Sequence, residues 1–347
     1  MRIETYSINR LKESLDHDEL WQTQRIAISK NRAISAIHNP RAQKDDVVLA
    51  AAFEGDKLVG YHGALPDTIY VDNEPHRFAW GSCWWVDDAL RGQRIGSLLK
   101  EKLITCWQQR FASRDVSPDA LRSMTKSGLA KAFKKENGID FQFQYGTLNA
   151  NKYSDMSDWD KNTHLPPGYR IEYLSQLDTQ ARKFIDQNNI HEIFRRSSNE
   201  LNWIKLYPWC SQEPDCKLAM LQQSYFFDLK YSRFFNVFIK ILDNKNNVTA
   251  VMMLMVCNDR LSVPYIYYNE DSLPLICSTI GKLIFHLGIT HFRTYNEYLI
   301  ASMKIAGPPV IAHINVQRTT LFSPDMYNLP KRDAYLQDGD GDCAFWA

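Results

Sequence analysis

One stretch, residues 78–108, most constrains how this sequence folds. Phe78–Val86 is rich in aromatic residues, which is typical of a buried strand. Asp87–Arg94 is polar and contains Gly92, so a turn is predicted there. From Ile95 onward the apolar residues recur at helical spacing. The stretch therefore predicts a strand that leads through a tight turn into a helix.

The start of a helix is suited to binding a phosphate group. Its first N–H groups have no carbonyl partner within the helix, and its dipole is positive at this end. Gly92 and Gly96 let the backbone approach a ligand closely, and Arg91 and Arg94 add positive charge. This stretch contains neither the Gly-Lys-Ser/Thr of a P-loop nor the GxGxxG of a dinucleotide-binding turn. The structural alternative is an ordinary strand–turn–helix corner whose arginines face solvent.

The hexapeptide Arg91–Gly96 resembles the pyrophosphate loop of the GNAT superfamily of N-acyltransferases, whose pattern is Arg/Gln-x-x-Gly-x-Gly/Ala. Arg91 and Gly96 match that pattern, and Arg94 stands where the family usually has its first glycine. The resemblance implies that acetyl-CoA binds here as a co-substrate. The residues that it implies for CoA binding are Trp85, Val86, Arg91, Gly92, Gln93, Arg94, Ile95, Gly96 and Ser97.

The elements before the loop also follow the order of the GNAT fold. Short apolar runs separated by Gly- or Asn-containing turns predict a meander of antiparallel strands, unlike the βαβ unit of nucleotide-binding domains. The predicted elements are strands at Arg2–Asn9, Val47–Phe53, Lys57–Ala64 and Thr68–Val71, and a mostly helical region at Asp16–Ile37.

Two segments beyond the helix are predicted to complete the sheet. Leu121–Lys126 is predicted to be a short strand, and Phe141–Leu148 a closing strand. Between them, residues 127–139 resemble the family's next signature, roughly Asn-x-x-Ala-x-x-Leu-Tyr-x-x-x-Gly-Phe, in which Ala130 and Gly138 match.

The chain is long enough for two domains. The resemblance covers about residues 1–150, and the polar, Pro- and Gly-containing residues 151–168 predict a linker. Residues 169–347 repeat the order of elements, so the predicted fold class is α/β with two GNAT-like domains, the second degenerate. Each is predicted to be a mixed, mostly antiparallel sheet flanked by helices. The predicted elements of the second domain include Phe234–Leu242, Val248–Cys257, Leu261–Tyr268 and the helix Leu273–Leu287.

The second domain is not expected to bind its own CoA. Where the first has its phosphate loop, the second has Glu270 and Asp271, two carboxylates that favour a helix start but would repel a pyrophosphate. One CoA per chain, bound by the N-terminal domain, is the consequence.

Acyl transfer to an amine needs a neutral amine, donors for the developing oxyanion and a proton for the leaving thiolate. The resemblance implies that backbone N–H groups near Trp84, Trp85 and Val86 bind the oxyanion. Asp87 and Tyr145 are the candidate catalytic side chains. A capping role in the turn is the alternative for Asp87.

Other candidates in this region have ordinary structural explanations. Ser82 stands where some family members carry a glutamate, and Lys134 stands at the tyrosine of the second signature, where a solvated helix lysine is expected. His62 has a suitable intrinsic pKa, although a structural histidine is expected. Cys83 is expected to be a core residue, because no His or Asp is arranged around it in the sequence.

The amino-acid composition limits the classes of partner that are expected. Lys plus Arg total 41 against 40 Asp plus Glu, a net charge of +1, so neither nucleic acid nor a membrane is an expected partner. The N-terminal residues have no signal-peptide pattern and no apolar run reaches 18 residues, which favours a cytoplasmic protein. Seven scattered cysteines fit reduced thiols, and the isolated pair Cys210 and Cys216 does not predict a metal site.

The predicted function is acetyl-CoA-dependent transfer of an acyl group to the primary amine of a small molecule, for example an amino sugar. A non-catalytic acyl-CoA-binding or scaffold protein is the alternative, and an aminoacyl-transferring relative is disfavoured by the CoA-type loop. The aromatic strand around Tyr265 and Tyr267 is a predicted wall of the acceptor site. The tail Asp338–Asp342 begins like a calcium loop but lacks its final glutamate, so a solvated, flexible terminus is expected.

Overall fold

A computed structural model describes residues 1–17, 19–22, 24–143, 168–212, 225–308, 310–330 and 334–345. The helices are α1 Ile8–His17, α2 Lys30–Ile37, α3 Ile95–Cys106, α4 Pro118–Lys126, α5 Thr179–Asn188, α6 Ser198–Leu206, α7 Leu273–His286 and α8 Glu297–Ala306. The strands are β1 Arg2–Ser7, β2 Val47–Glu54, β3 Lys57–Val71, β4 Glu74–Val86, β5 Phe111–Arg114, β6 Lys131–Gln142, β7 Arg170–Leu174, β8 Ser211–Gln212, β9 Lys230–Tyr231, β10 Phe234–Leu242, β11 Val248–Cys257, β12 Arg260–Tyr268, β13 His291–Thr294 and β14 Ala312–Phe322.

Twelve of these strands form one sheet in the order β1-β2-β3-β4-β5-β14-β6-β13-β12-β11-β10-β7. The pairs β4–β5 and β12–β13 are parallel, and every other neighbouring pair is antiparallel. Counted inward from either edge, the sheet therefore has the same succession of antiparallel and parallel pairs. The chain is α/β with a large mixed sheet, as predicted.

The centre of the sheet is built by an exchange of strands between the two halves of the chain. β14, from the end of the chain, lies between β5 and β6, and β6 in turn pairs with β13. The division into domains at residues 1–150 and 169–347 stays a prediction. Its linker, residues 151–168, lies outside the described residues apart from Gly168.

Much of the predicted secondary structure is observed. The hairpin of β2 and β3, the helix α3 after the loop, and the meander β10–β11–β12 followed by α7 are confirmed. β3 continues through Thr68–Val71 as one strand. Instead of the helical region predicted at Asp16–Ile37, the chain forms the separate helices α1 and α2. α6 begins at a capping box formed by Ser197 and Glu200.

The strand predicted at Leu121–Lys126 is wrong, because these residues belong to α4. Ser117 caps this helix by accepting a hydrogen bond from the Ala120 N–H, and Pro118 occupies its first turn. The segment that resembles the second GNAT signature is instead mostly strand β6. Lys134 therefore lies on a strand, where its Nζ donates a 2.5 Å hydrogen bond to the Ala334 carbonyl.

Helices cover the N-terminal part of the sheet on both faces. On one face, α3 packs its apolar side chains on small residues of β2, β3 and β4 in a core that includes Leu99, Leu103 and Ala79. On the other, α1 and α2 pack on a core that includes Phe78 and Trp80 of β4. Neighbouring residues of β4 thus point alternately to the α3 face and to the α2 face. In the described part of the chain, no helix has the length and apolar character needed to cross a membrane.

Candidate functional site

The loop between β4 and α3 has the backbone expected of a phosphate-binding turn. Gly92 has a φ of +88°, and Arg94, at the position before the helix, has a φ of +63° in the left-handed region. Arg94 thus adopts a conformation that favours glycine, the residue that the GNAT pattern has there. A non-glycine residue in this conformation carries strain, which is typical of functional sites.

The first turn of α3 is closely covered by an aromatic ring. A Cβ added to Gly96 would lie 2.9 Å from the Trp84 ring, so glycine is the residue that fits there. Arg91 is exposed and lies 2.7 Å from an Asp88 carboxylate oxygen. The unpartnered N–H groups of the first helical turn therefore lie beside an indole, and Arg91 is an exposed, ion-paired side chain of the same loop.

β4 contains a bulge just before this loop. Tyr61 of β3 pairs with Trp85 and Gly63 pairs with Ser82, so the register shifts between these pairs. Cys83, within the bulge, has a φ of +52°. A bulge interrupts the alternation of side chains and leaves backbone groups out of the ladder. The backbone donors that the GNAT resemblance implies near Trp84 thus have a structural counterpart.

Beside the bulge, the sheet opens. The parallel strands β4 and β5 pair at Ala79–Phe111 and Trp80–Ala112 and separate beyond that point. The resulting cleft has a volume of about 1320 Å³ and runs from the Arg91–Gly96 loop past Ser82 and Ser113. A ligand that entered this opening would meet the loop at one end and the bulge at the other.

The second half of the chain has an equivalent opening that is filled. β12 and β13 pair at Arg260–His291 and Leu261–Phe292 and then separate. The C-terminal segment, residues 334–345, occupies the gap. The Asp338 carboxylate accepts a 2.7 Å hydrogen bond from Thr294 Oγ1, and the Gly339 N–H donates a 2.7 Å bond to the Pro264 carbonyl.

The expectation of a solvated, flexible tail at Asp338–Asp342 is wrong. Asp340 is 1 % exposed, and Arg114 donates hydrogen bonds to the carbonyls of Gln337 and Asp340. Glycine is required at position 339, where an added Cβ would lie 2.7 Å from the Tyr265 ring. Buried arginines and a close fit therefore order a segment whose composition resembles that of an exposed tail.

The same segment brings a carboxylate to the bulge. Ser82 Oγ donates a 2.6 Å hydrogen bond to Asp342 Oδ2. Because Asp342 is three residues beyond Gly339, their Cα atoms are at most about 11 Å apart. Asp342 contacts β4 and Gly339 contacts β12, so this short segment links the two strands across the cleft, although four strands separate them in the sheet.

A buried polar cluster surrounds the bulge on the α2 face. Arg32 Nη1 donates a 3.1 Å hydrogen bond to Tyr225 Oη, and the Arg32 guanidinium lies over the Trp209 ring at 4.4 Å. Burial raises the pKa of the Cys83 thiol, so this cysteine is a protonated thiol at neutral pH. Cys83 therefore lacks the thiolate of a nucleophile.

Of the two predicted catalytic side chains, Asp87 and Tyr145, the structure describes only Asp87. Asp87 accepts a 3.1 Å hydrogen bond from the Ala89 N–H and pairs with Lys57 Nζ at 3.2 Å. These contacts, the Ala89 hydrogen bond first, lower the pKa of Asp87. Asp87 thus caps the turn that follows it and pairs with Lys57, contacts that the alternative interpretation expected, and its catalytic role stays a prediction. Tyr145 lies outside the described residues.

The wall of the cleft on β12 differs from the predicted one. Tyr265 and Tyr267 are 1 % and 3 % exposed, and Tyr265 Oη donates a 2.8 Å hydrogen bond to the Gly339 carbonyl. The cleft is instead lined there by Arg260, Ser262 and Pro264. Sequence reasoning missed Asp342, for which the only local signal was the alternation of Asp with Gly in the tail. Among the described residues, no group of three or more His, Cys, Asp or Glu side chains has the arrangement of a metal site.

No protein-family model matches this sequence, and no curated protein matches it. Solved structures do share its fold. A crystal structure from Enterococcus faecalis V583, described as a conserved protein of unknown function and probable N-acyltransferase, aligns with a TM-score of 0.53 at 11 % identity, over 94 % of this chain and 73 % of that chain. Saccharomyces cerevisiae N-myristoyltransferase with bound myristoyl-CoA aligns with a TM-score of 0.51 at 12 % identity, over 92 % of this chain and 79 % of that chain. A structure of the same yeast enzyme with myristoyl-CoA and inhibitors has a TM-score of 0.53 at 12 % identity, over 92 % and 80 % of the two chains. The chain therefore shares the fold of these solved structures, a GNAT-like fold as predicted, whereas its division into two such domains stays a prediction.

Proposed function

We propose that this protein is an acyl-CoA-dependent N-acyltransferase that acylates the primary amine of a small molecule. The observation that carries the proposal is the cleft between β4 and β5. This cleft is one continuous space, lined by the Arg91–Gly96 loop, by the bulge of β4 and by the Asp342 carboxylate of the C-terminal segment. These are the parts that acyl transfer from a CoA thioester requires.

In this proposal the acyl-CoA lies on the α3 face of the sheet. The first turn of α3 and the side chains of Arg91 and Arg94 bind the pyrophosphate. The pantetheine arm enters the opening beyond Trp80 and Ala112. The thioester carbonyl then accepts a hydrogen bond from a backbone N–H of the bulge, which stabilises the oxyanion of the tetrahedral intermediate. Acetyl-CoA, which the GNAT-like loop implies, is the first co-substrate to test.

The acceptor amine approaches from the α2 face, where Asp342 and Ser82 meet. The amine nitrogen attacks the thioester carbon, the new N–C bond forms, and the C–S bond breaks to release the CoA thiolate. Asp342 accepts the proton that the amine nitrogen loses, and the thiolate takes a proton from solvent. Asp342 replaces Asp87 as the proposed base, because its carboxylate lies in the cleft beside the bulge at Ser82, whereas Asp87 pairs with Lys57 and caps the turn after β4.

The test combines two measurements on the intact protein. Acyl-CoA binding is measured by calorimetry, and CoA-thiol release is measured against a panel of amines that includes amino sugars, amino acids and polyamines. Binding together with amine-dependent thiol release is expected. Binding without turnover on any amine would instead favour the non-catalytic acyl-CoA-binding protein, and no binding would overturn the proposal.

A further inference from the structure

Three buried polar atoms lie without a hydrogen-bond partner on the α3 face, at the base of the opening between β4 and β5. They are Lys100 Nζ, His62 Nδ1 and Trp84 Nε1, and no atom of the described residues satisfies any of them. Lys100 is 1 % exposed and His62 is 3 % exposed. Unpaired buried polar groups are rare in native structures, and each one calls for an explanation.

The three side chains form one cluster. The rings of His62 and Trp84 stack, with centroids 5.4 Å apart and an angle of 20° between the planes. Lys100 Nζ lies 5.7 Å from the Trp84 ring centroid. Phe111, at the point where β4 and β5 last pair, contacts His62 edge-on with centroids 5.8 Å apart. His62 and Trp84 line the cleft, and Lys100 lies behind Trp84 rather than in the lining itself. Two members of the cluster thus border the space that a thioester would occupy.

An ammonium group is costly in this position. The neighbours of α3 on β2, β3 and β4 in this core are small apolar side chains, namely Ala50, Ala52, Val59, Ala64 and Ala79. Burial lowers the pKa of Lys100 to about 7. The pKa of His62 lies well below its ordinary range, because of burial and then because of the charges of Lys100 and Arg32. Lys100 Nζ lies over the Trp84 ring, a cation–π contact that offsets part of the cost of its burial. A bound anion would compensate the rest of its charge.

We propose that the acyl group transferred by this protein ends in a carboxylate, as in malonyl- or succinyl-CoA, and that Lys100 binds that carboxylate beside His62 and Trp84. This inference rests on the proposed function. The cluster belongs to the acyl-CoA side of the sheet, because Trp84 also covers Gly96 in the phosphate loop. The acceptor side is the opposite face, where Asp342 meets Ser82.

The length and charge of the acyl group follow from this arrangement. A carboxylate at the end of a short chain forms a charge-assisted hydrogen bond with the Lys100 ammonium, and the indole N–H of Trp84 is a second donor. An acetyl group has no carboxylate and leaves all three polar atoms unpaired. A long unbranched apolar chain would bury Lys100 further without a partner.

The test measures the binding of CoA, acetyl-CoA and succinyl-CoA to the full chain by calorimetry. We expect the wild-type protein to bind succinyl-CoA about tenfold or more tightly than acetyl-CoA. Lys100→Met should remove that preference. Lys102→Met, at an exposed position of the same helix, should keep the preference. Lys100→Gln, which keeps a donor but no charge, provides a second variant should Lys100→Met fail to fold, and it should lose most of the preference.

Two results would contradict the inference while leaving the proposed function intact. One is equal binding of acetyl- and succinyl-CoA by the wild-type protein, and the other is a preference that survives in Lys100→Met and Lys100→Gln. A stable acyl adduct on Lys100, seen by mass spectrometry after incubation with either thioester, would also overturn it, since it would make the amine a nucleophile. Failure of CoA itself to bind would overturn the proposed function.

Discussion

Ser82 Oγ donates a 2.6 Å hydrogen bond to Asp342 Oδ2, and this contact joins the central strand to the C-terminal segment across 260 residues. It places a carboxylate beside the bulge of β4, on the face opposite the phosphate loop. Ser82 stands where some GNAT proteins carry a glutamate. The Asp342 carboxylate therefore lies beside the strand position at which the GNAT resemblance places that glutamate.

The first prediction tests this carboxylate. Asp342→Asn keeps the size of the side chain and its ability to accept the Ser82 hydrogen bond, but it removes the base. We expect turnover to fall by roughly 10²–10⁴-fold with little change in acyl-CoA affinity. Steady-state kinetics and calorimetry on the same preparation separate the two effects.

The matched control is Asp87→Asn, which weakens a cap and a surface ion pair. It should retain most of the activity and lower the free energy of unfolding by less than about 1 kcal/mol, because asparagine caps about as well as aspartate and only a surface ion pair is lost. If Asp87→Asn abolishes turnover and Asp342→Asn does not, the assignment of the base to the C-terminal segment is wrong.

The second prediction concerns how the C-terminal segment is held. Gly339→Ala would place a Cβ 2.7 Å from the Tyr265 ring and 2.8 Å from Pro264 Cβ. We expect a loss of about 1–3 kcal/mol in the free energy of unfolding and a drop in turnover, because Asp342 follows the displaced segment. Chemical denaturation measures the first and thiol release the second.

Gly281→Ala is the control. Gly281 lies on α7, away from the cleft, and its added Cβ would meet only Pro308, at 3.3 Å. It should leave turnover unchanged. Full activity in Gly339→Ala would mean that the segment is not needed in its observed position.

The third prediction follows from the pKa of Lys100, which burial lowers from its ordinary value of 10.5 to about 7. Between these pH values the unfolded chain binds a proton at this lysine and the folded chain does not. The contribution of Lys100 to folding stability therefore rises with pH across this window. Lys100→Met removes the penalty, so the variant should be more stable than the wild type at pH 7, by on the order of a few kcal/mol.

Chemical denaturation of the wild-type protein and of Lys100→Met at pH 7 and pH 10 measures this difference in stability. The advantage of Lys100→Met should shrink as the pH rises, whereas Lys102→Met should follow the wild type. A wild-type protein that is more stable than Lys100→Met at pH 7 would show that Lys100 is compensated within the free protein.

The fourth prediction concerns Arg94, whose φ of +63° favours glycine. Arg94→Gly should stabilise the protein by about 1 kcal/mol, because it relieves a left-handed non-glycine residue. The same change removes a positive charge from the loop. The ratio of affinities for CoA and dephospho-CoA should fall if the guanidinium contacts the 3′-phosphate. An unchanged ratio would leave Arg94 as a strained surface residue.

The sequence was most informative where structure depends on local patterns. The hairpin of β2 and β3 and the loop before α3 follow from alternation, turn residues and helical spacing. α4 was missed, although Ser117, Pro118 and Asp119 are a helix-start signal, because the apolar residues around Leu121 were interpreted as a strand.

The rest depends on contacts between distant residues. Asp340 and Asp342 look like part of a solvated tail in sequence, and what buries them is Arg114, Arg196 and Ser82, which lie far away in the chain. In the same way, the apolar spacing of α3 does not reveal that Lys100 faces the sheet without an anion. Long-range burial is not encoded in local composition, so the turn before α3 was predictable and the position of Asp342 was not.

The Arg91–Gly96 loop is proposed to bind the pyrophosphate of an acyl-CoA. Calorimetric titration of CoA into the variants Gly96→Val and Arg91→Ala measures whether it does. Valine at position 96 would collide with the Trp84 ring and block the first turn of α3, so binding should be lost. Arg91→Ala should weaken binding about tenfold by removing one charge-assisted contact. Lys102→Met, which changes one exposed positive charge on the same helix, should bind CoA like the wild type. If both loop variants bind CoA with wild-type affinity, the loop is not the CoA site and the account is wrong.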